Sequence, residues 1–366
     1  MSFLRRIRFS LRTLVIFVLL LGSGMGLWWK WTPWVLERSL EKHVQRTRAV
    51  AFAPNGRLIA AAGDDNEVRV WDAGTGELLA ILRGHEATIH SVAFSPDSSR
   101  VVTASEDKTA RVWDVAHGRE ILILSGHAGI VHCAAYSADG LCIVTASGDY
   151  KAFVWGAASG EKQKVLKGHR TAVYSAAFSP DGQSVVTGSS DGTARLWAWK
   201  DETELLRIED LQGKTWRFVQ SAMFSRDGRR VLMATSEASH FVAEIRDAAT
   251  GELQLELTGN IFYTHCAAFS PDDRRVVTAS LNNTVRVYDA ANGAVLASLP
   301  DSGSSAAFSP DGARIVTGHG KNGEVRLWQR RRPEYWWGVA WLPEFWLAVV
   351  FGAALVWSVW RDRRTL

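Results

Sequence analysis

The chain has 366 residues, 47% of them apolar and 22% charged. That length suits one large domain or two to three average ones, with room for a sizeable core. The composition excludes a disordered acidic chain and a wholly membrane-embedded one, and three cysteines exclude a disulfide-stapled scaffold. The net charge of +4 divides unevenly. Residues 1–34 carry Arg5, Arg6, Arg8, Arg12 and Lys30 with no acid, and residues 330–366 carry six arginines against Glu334, Glu344 and Asp362. The basic charge is therefore in the ends, the middle is mildly acidic, and nucleic-acid binding is not expected.

In chain order, Leu14–Trp34 comes first. It follows a basic cluster and holds one charge, Lys30. As a helix it is long enough to cross a bilayer core, and Trp28, Trp29, Trp31 and Trp34 would form an aromatic belt at one interface. A cleaved signal peptide is the rival, with Leu14–Leu21 as its apolar core and Gly22-Ser23-Gly24 as a cleavage site. The apolar stretch continues past that site, which favours an uncleaved anchor over residues 1–34.

Residues 35–329 repeat. Ser91-Val-Ala-Phe-Ser-Pro-Asp97, Ser175-Ala-Ala-Phe-Ser-Pro-Asp-Gly182 and Ser305-Ala-Ala-Phe-Ser-Pro-Asp-Gly312 are versions of one segment. Its aromatic falls at Phe52, Phe94, Tyr136, Phe178, Phe224, Phe269 and Phe308. A second landmark follows each: Trp71, Trp113, Trp155, Trp197, Ile245, Tyr288 and Trp328. Each of these seven units reads as four short strands. In the second they are Ile89–Phe94, Val101–Ala104, Ala110–Trp113 and Ile121–Leu124, separated by turn signals. In Ser-Pro-Asp-Gly, proline presets φ at the second turn position and glycine takes the left-handed one. Four antiparallel strands per unit make one propeller blade.

These residues resemble the WD40 family. Gly-His pairs stand at Gly84-His85, Gly126-His127 and Gly168-His169, and Trp-Asp pairs at Trp71-Asp72 and Trp113-Asp114. An aspartate lies six residues before the tryptophan at Asp65, Asp107, Asp149 and Asp191. The resemblance implies an all-β, seven-bladed propeller with a hydrogen-bonded network inside each blade. Blade two would use His85, Thr103, Asp107 and Trp113. Blade three would use His127, Thr145, Asp149 and Trp155, and blade four His169, Thr187, Asp191 and Trp197. Such a set recurs once per blade, which argues for structure and against a catalytic triad. Blade five has Ile245 for tryptophan and no Gly-His, blade six has Asn260 and Tyr288 for histidine and tryptophan, and blade seven is shortened after Leu299, so networks in these three are in doubt. The last unit lacks a fourth strand. His43 lies nine residues before Phe52, as His85 lies nine before Phe94, so Val35–Leu40 should close the last blade, within a closing segment 35–43.

Residues 330–366 form an interfacial aromatic segment and a second candidate span, Trp341–Trp360, which is uncharged from Phe345 onward. The whole would be a propeller flanked by N- and C-terminal transmembrane helices. Arginines at both extremes suggest that both ends face the cytoplasm, as in a bacterial inner-membrane protein with its propeller exported.

No phosphate loop, HExxH, CxxC or nucleophile elbow is present. No enzyme activity, metal or cofactor is expected, and Cys133, Cys142 and Cys266 read as small buried hydrophobes. Four residues before each strand aromatic stand Arg48, His90, His132, Tyr174, Gln220, His265 and Ser304. These positions open the innermost strand, near the mouth of the central channel, and the first six are candidate partner-binding residues. Two functions follow from different classes. One is a membrane-anchored platform for protein partners; the alternative is a propeller enzyme or small-ligand sensor at the channel mouth.

Overall fold

The structure, a computed structural model, describes residues 34–40, 45–209, 218–237, 240–259, 264–280, 284–300, 303–319 and 323–330. Among them stand seven four-stranded sheets and no helix. Blade two is representative, with strands a to d at Ile89–Phe94, Arg100–Ser105, Ala110–Asp114 and Arg119–Leu124. Strand a of each blade packs on strand a of the next, and that of blade seven packs on blade one, so the ring is closed. The compact unit runs from Leu36 to Gln329.

Burial explains the strand sequences. Strand b lies between both neighbouring sheets, so both its faces must be apolar or internally bonded. Val101, Val102, Thr103 and Ala104 are all fully buried. Strand d is outermost and alternates: Leu124 is buried while Ile121 and Ile123 are exposed. The Ser-Pro-Asp-Gly turns join strands a and b. In blade four the Ser179 hydroxyl donates to Asp181 Oδ1 at 2.5 Å and accepts the Ser184 N–H at 2.9 Å. Gly182 takes the left-handed φ of 68°. Where glycine is missing, Ser98 and Asp273 adopt the same conformation at 64° and 55°.

Blade seven takes strands a to c from Gly303–Phe308, Arg314–His319 and Val325–Arg330, and its outer strand is Trp34–Leu40. Trp34 is thus a correction to the apolar span read from sequence. It is 9% exposed and opens a strand bonded into blade seven, so it is a strand residue and not the last residue of a helix. The rest of both proposed spans, His43 and Asn260 lie outside the described residues. Among the described residues no helix is long and apolar enough to cross a membrane.

Candidate functional site

Two layers of polar side chains are built on this ring. The first lies inside the blades. His85 Nδ1 meets Asp107 Oδ2 at 2.6 Å, His85 Nε2 meets Thr103 Oγ1 at 2.7 Å, and Trp113 Nε1 donates to Thr103 Oγ1 at 2.9 Å. One arrangement satisfies all three. The indole N–H donates to the Thr103 oxygen, the Thr103 hydroxyl donates to Nε2, and Nδ1–H donates to the carboxylate. Burial opposes ionisation of Asp107, but hydrogen bonds from His85 and Thr109 outweigh it and hold the carboxyl well below the usual range.

Blades three and four repeat the geometry. His127 and His169 meet Asp149 and Asp191 at 2.9 Å and Thr145 and Thr187 at 2.8 Å. Trp155 and Trp197 reach the same threonines at 2.9 Å. The Gly-His glycine is set by close approach: a Cβ on Gly168 would meet Arg195 Nη1 at 2.7 Å and Trp197 at 3.1 Å. Blade three differs in one place. Phe153 stands where its neighbours have arginine, and it stacks on His127 at 3.8 Å between centroids, with Lys162 over its other side at 4.5 Å.

The doubted networks survive in part. Trp328 Nε1 donates to Thr317 Oγ1 at 2.9 Å, and the Tyr288 hydroxyl bonds Thr278 and Arg286 in place of an indole. In blade five the equivalent threonine makes a long bond, from Thr235 Oγ1 to the Val242 carbonyl at 3.4 Å.

The second layer is the mouth ring. The pairing of strands a and b slips by one residue in every blade, between Thr47 and Ala49, Ile89 and Ser91, Val131 and Cys133, Val173 and Ser175, Val219 and Ser221, Thr264 and Cys266, and Gly303 and Ser305. The skipped residues are Arg48, His90, His132, Tyr174, Gln220, His265 and Ser304. A β-bulge re-aims the side chain it carries, so the ring of candidates is a ring of bulges. Four of them stand side by side. Arg48 Nε bonds Asp64 at 2.6 Å, and His90 Nε2 meets Glu106 at 3.0 Å. His90 and His132 lie 5.5 Å apart edge-on, and His132 and Tyr174 lie 4.7 Å apart. Gln220 is half-buried on blade five, outside this chain of ring contacts. Asp64 and Glu106 were not singled out from sequence, because only the fold brings the b–c turns beside strand a.

The residue after the bulge has its own role. The Ser91 hydroxyl accepts the Ala134 N–H, Cys133 Sγ approaches the Ala176 carbonyl at 3.6 Å, and Cys266 Sγ approaches the Ala306 carbonyl at 3.5 Å. The Val50 N–H donates to the Ser305 hydroxyl at 3.2 Å. These contacts stitch one blade to the next. All three thiols are free and half-buried. Among the described residues no three His, Cys, Asp or Glu side chains group as a metal site.

Burial, then the neighbouring His90, pushes His132 down to about 4, and burial, then Arg46 and Arg48, does the same to His265. The unfolded chain takes up these protons near pH 6.5. Stability is therefore full above that pH and falls as pH drops from 6.5 toward 4. Each histidine contributes a loss of about 2 kcal/mol. Urea midpoints at pH 7 and pH 4.5 check this: the H132Q/H265Q double variant should lose much of the difference seen in the wild type.

The closed ring of four-stranded sheets defines a β-propeller with a polar and aromatic channel mouth. The chain belongs to the WD40-repeat β-propeller family. Residues 46–218 match the family described as IFT122 first beta-propeller, and residues 251–289 and 297–329 match the WD domain, G-beta repeat. The chain is similar to the nuclear distribution protein nudF of Aspergillus flavus, 37% identical over 59 residues, 16% of this chain and 13% of that protein. It is also similar to the Notchless protein homolog of Arabidopsis thaliana, 36% identical over 67 residues, 18% of this chain and 14% of that protein. Each match spans a small part of the relative's length.

Proposed function

We propose that this propeller is a membrane-anchored platform that binds a protein partner at the channel mouth. The observation that carries this is the ring of bulges: blades one to six each carry a large polar or aromatic side chain at the bulge, and Arg48, His90, His132 and Tyr174 form a polar and aromatic arc. Clustered rings and arginines at a half-buried site are typical anchors of protein recognition. Anchoring rests on the apolar, tryptophan-rich stretches Leu14–Trp31 and Trp341–Trp360. Gln329 stands opposite Arg314, beside the blade-seven Ser-Pro-Asp-Gly turn, so the chain leaves the propeller at that face. With Arg330–Arg332 at this exit, the turn face lies toward anionic headgroups and the mouth points away. The propeller is placed on the exported side.

Photo-crosslinking tests both parts. A benzophenone residue replacing Tyr174 should capture protein, and one replacing the exposed Arg229 on the turn face should capture lipid. The Tyr174 adduct should weaken in H132A. Protein from position 229 with lipid from position 174 would invert the orientation. Protein from neither would end the platform reading.

A further inference from the structure

Blade three departs from its neighbours at four equivalent positions. Blades two and four pair an arginine of strand c with a glutamate of strand d, Arg111 with Glu120 at 2.7 Å and Arg195 with Glu204 at 2.8 Å. Blade three has Phe153 and Lys162 there, with the Lys162 ammonium 4.5 Å from the ring centre. Blades one and two have Asp64 and Glu106 beside the bulge residue. Blade three has Gly148, and a Cβ on it would stand 3.6 Å from His132 Nε2. The left-handed position of the b–c turn is filled by Asn66, Lys108 and Gly192 in blades one, two and four, and by Tyr150 at φ 72° in blade three. That conformation is strained for a bulky side chain. Tyr150 is 51% exposed, so no core packing offsets the strain.

Lysines gather on one face of this blade. Lys151 and Phe153 are two residues apart on strand c and so share a face, and Lys167 of strand d pairs directly opposite Lys151. With Lys162 over Phe153, three ammonium groups lie on the same side of the sheet. Like charges directly opposite each other destabilise a strand pair. None of the three lysines forms an ion pair among the described residues. Lys164 faces the other way, toward Glu202 of blade four at 3.8 Å. The nearby Asp149 carboxylate is already bonded to His127 and to the Ala128 and Lys151 N–H groups. Lysines on an outer strand guard it against self-association, but guarding requires neither an opposed pair nor a tyrosine in a left-handed turn.

We propose that this face of blade three and its b–c turn take an acidic segment of the protein partner, which leaves the mouth at His132, passes Tyr150 and sets carboxylates on Lys151, Lys167 and Lys162. Charge complementarity selects the occupant. One turn carries Gly148 beside His132, then Tyr150, then Lys151, so the surface continues from the mouth arc. The exposed Tyr150 ring gives apolar groups between the carboxylates a surface to pack on. A lipid headgroup fits less well, because in the orientation proposed above the mouth side points away from the bilayer. The inference rests on the platform reading only in naming a protein bound at the mouth as the source of the segment.

The test is fluorescence anisotropy of a labelled peptide of alternating Glu and Ser, acetylated and amidated at its ends, titrated at pH 7 with the full-length chain in detergent. K162Q/K167Q should weaken binding about tenfold or more, the scale of one charge-assisted bond. Raising salt from about 50 mM to about 500 mM should weaken wild-type binding as well. Neither K167Q nor Y150G should melt below the wild type, since the first removes an opposed charge and the second a strained side chain. Y150G should still bind the peptide several-fold more weakly, a loss of binding without a loss of stability that a purely structural role would not give. R229Q, on the turn face, should leave binding unchanged. Should the double variant melt early, K167Q alone should weaken binding several-fold in a folded protein. Binding unaffected by the lysine variants or by Y150G in a folded protein, or equal binding of a Gln-Ser peptide, would overturn the site. Displacement of the peptide by dihexanoylphosphatidylglycerol at the peptide's own concentration would overturn it in favour of a lipid headgroup. Protein crosslinked from position 174 with peptide binding indifferent to the lysines would leave the platform standing and end this site. Lysine-dependent peptide binding without that crosslink would do the reverse.

Discussion

Deleting residues 35–43 should yield a chain that aggregates instead of melting cooperatively. The strand Trp34–Leu40 is the outer strand of blade seven, bonded to Val325–Arg330. Without it, the backbone N–H and C=O groups of an apolar strand become an open edge, which recruits other chains. The deletion also removes Leu40. That side chain is 5% exposed and packs in one cluster with Val50, Ile59 and Trp71 of blade one and Val316, Val325 and Leu327 of blade seven. The N-terminal strand therefore holds the first blade to the last as well as completing a sheet. Two point variants separate packing from strand loss. L40A should cost about 3 kcal/mol, the usual range for a buried leucine. L79A, at an outer-strand residue that is 52% exposed, should stay within about 0.5 kcal/mol. Urea denaturation of both variants and light scattering of the deletion check this. A soluble deletion chain with the wild-type melting temperature would show the strand to be dispensable.

The same substitution at two equivalent threonines should give very different costs. Thr103 is fully buried and is the hub of blade two, accepting from Trp113 Nε1 and meeting His85 Nε2. In T103V the indole N–H and the imidazole nitrogen both stay buried without a partner, and each such group costs about 1–3 kcal/mol. A loss of about 2–4 kcal/mol is expected. Thr235 of blade five is 3% exposed but makes a single 3.4 Å bond to the Val242 carbonyl, beside Ile245 instead of a tryptophan. T235V should cost less than about 1 kcal/mol, since valine fills the same space and orphans no nitrogen. Urea midpoints of the two variants decide it. Equal losses would mean that the His-Thr-Trp chain adds nothing beyond packing.

Much of this architecture was legible in the amino-acid sequence. The recurrence of Phe94, Phe178 and Phe308 with Trp113, Trp197 and Trp328 sets the blade count. The nine-residue spacing of His43 and Phe52 marks Val35–Leu40 as a fourth strand, and the strand runs Trp34–Leu40. The His85, Thr103, Asp107 and Trp113 set could be named because each member sits at a fixed offset in a repeated unit. Polar groups buried once per blade must be satisfied the same way each time. Turn chemistry was equally local: the left-handed position after Ser-Pro-Asp is occupied at Gly182 and Gly312, and also at Ser98 and Asp273, where residue type alone would not announce it.

Three things required the tertiary structure. The bulges under Arg48, His90 and His132 depend on how strand a registers against strand b, and an alternating pattern carries no mark of a one-residue slip. Trp34 belonged to an aromatic run in sequence, and only pairing with the last blade, some 290 residues away, makes it a strand residue. The charge balance at the mouth was the least legible. Asp64 and Glu106 come from b–c turns and bond Arg48 and His90 of strand a, while the Nε of Arg46 is buried without a hydrogen-bond partner among the described residues. Local sequence sets which residues are turned toward a blade's neighbours. Which groups then meet is decided by ring closure, because it packs blade seven against both blade six and blade one.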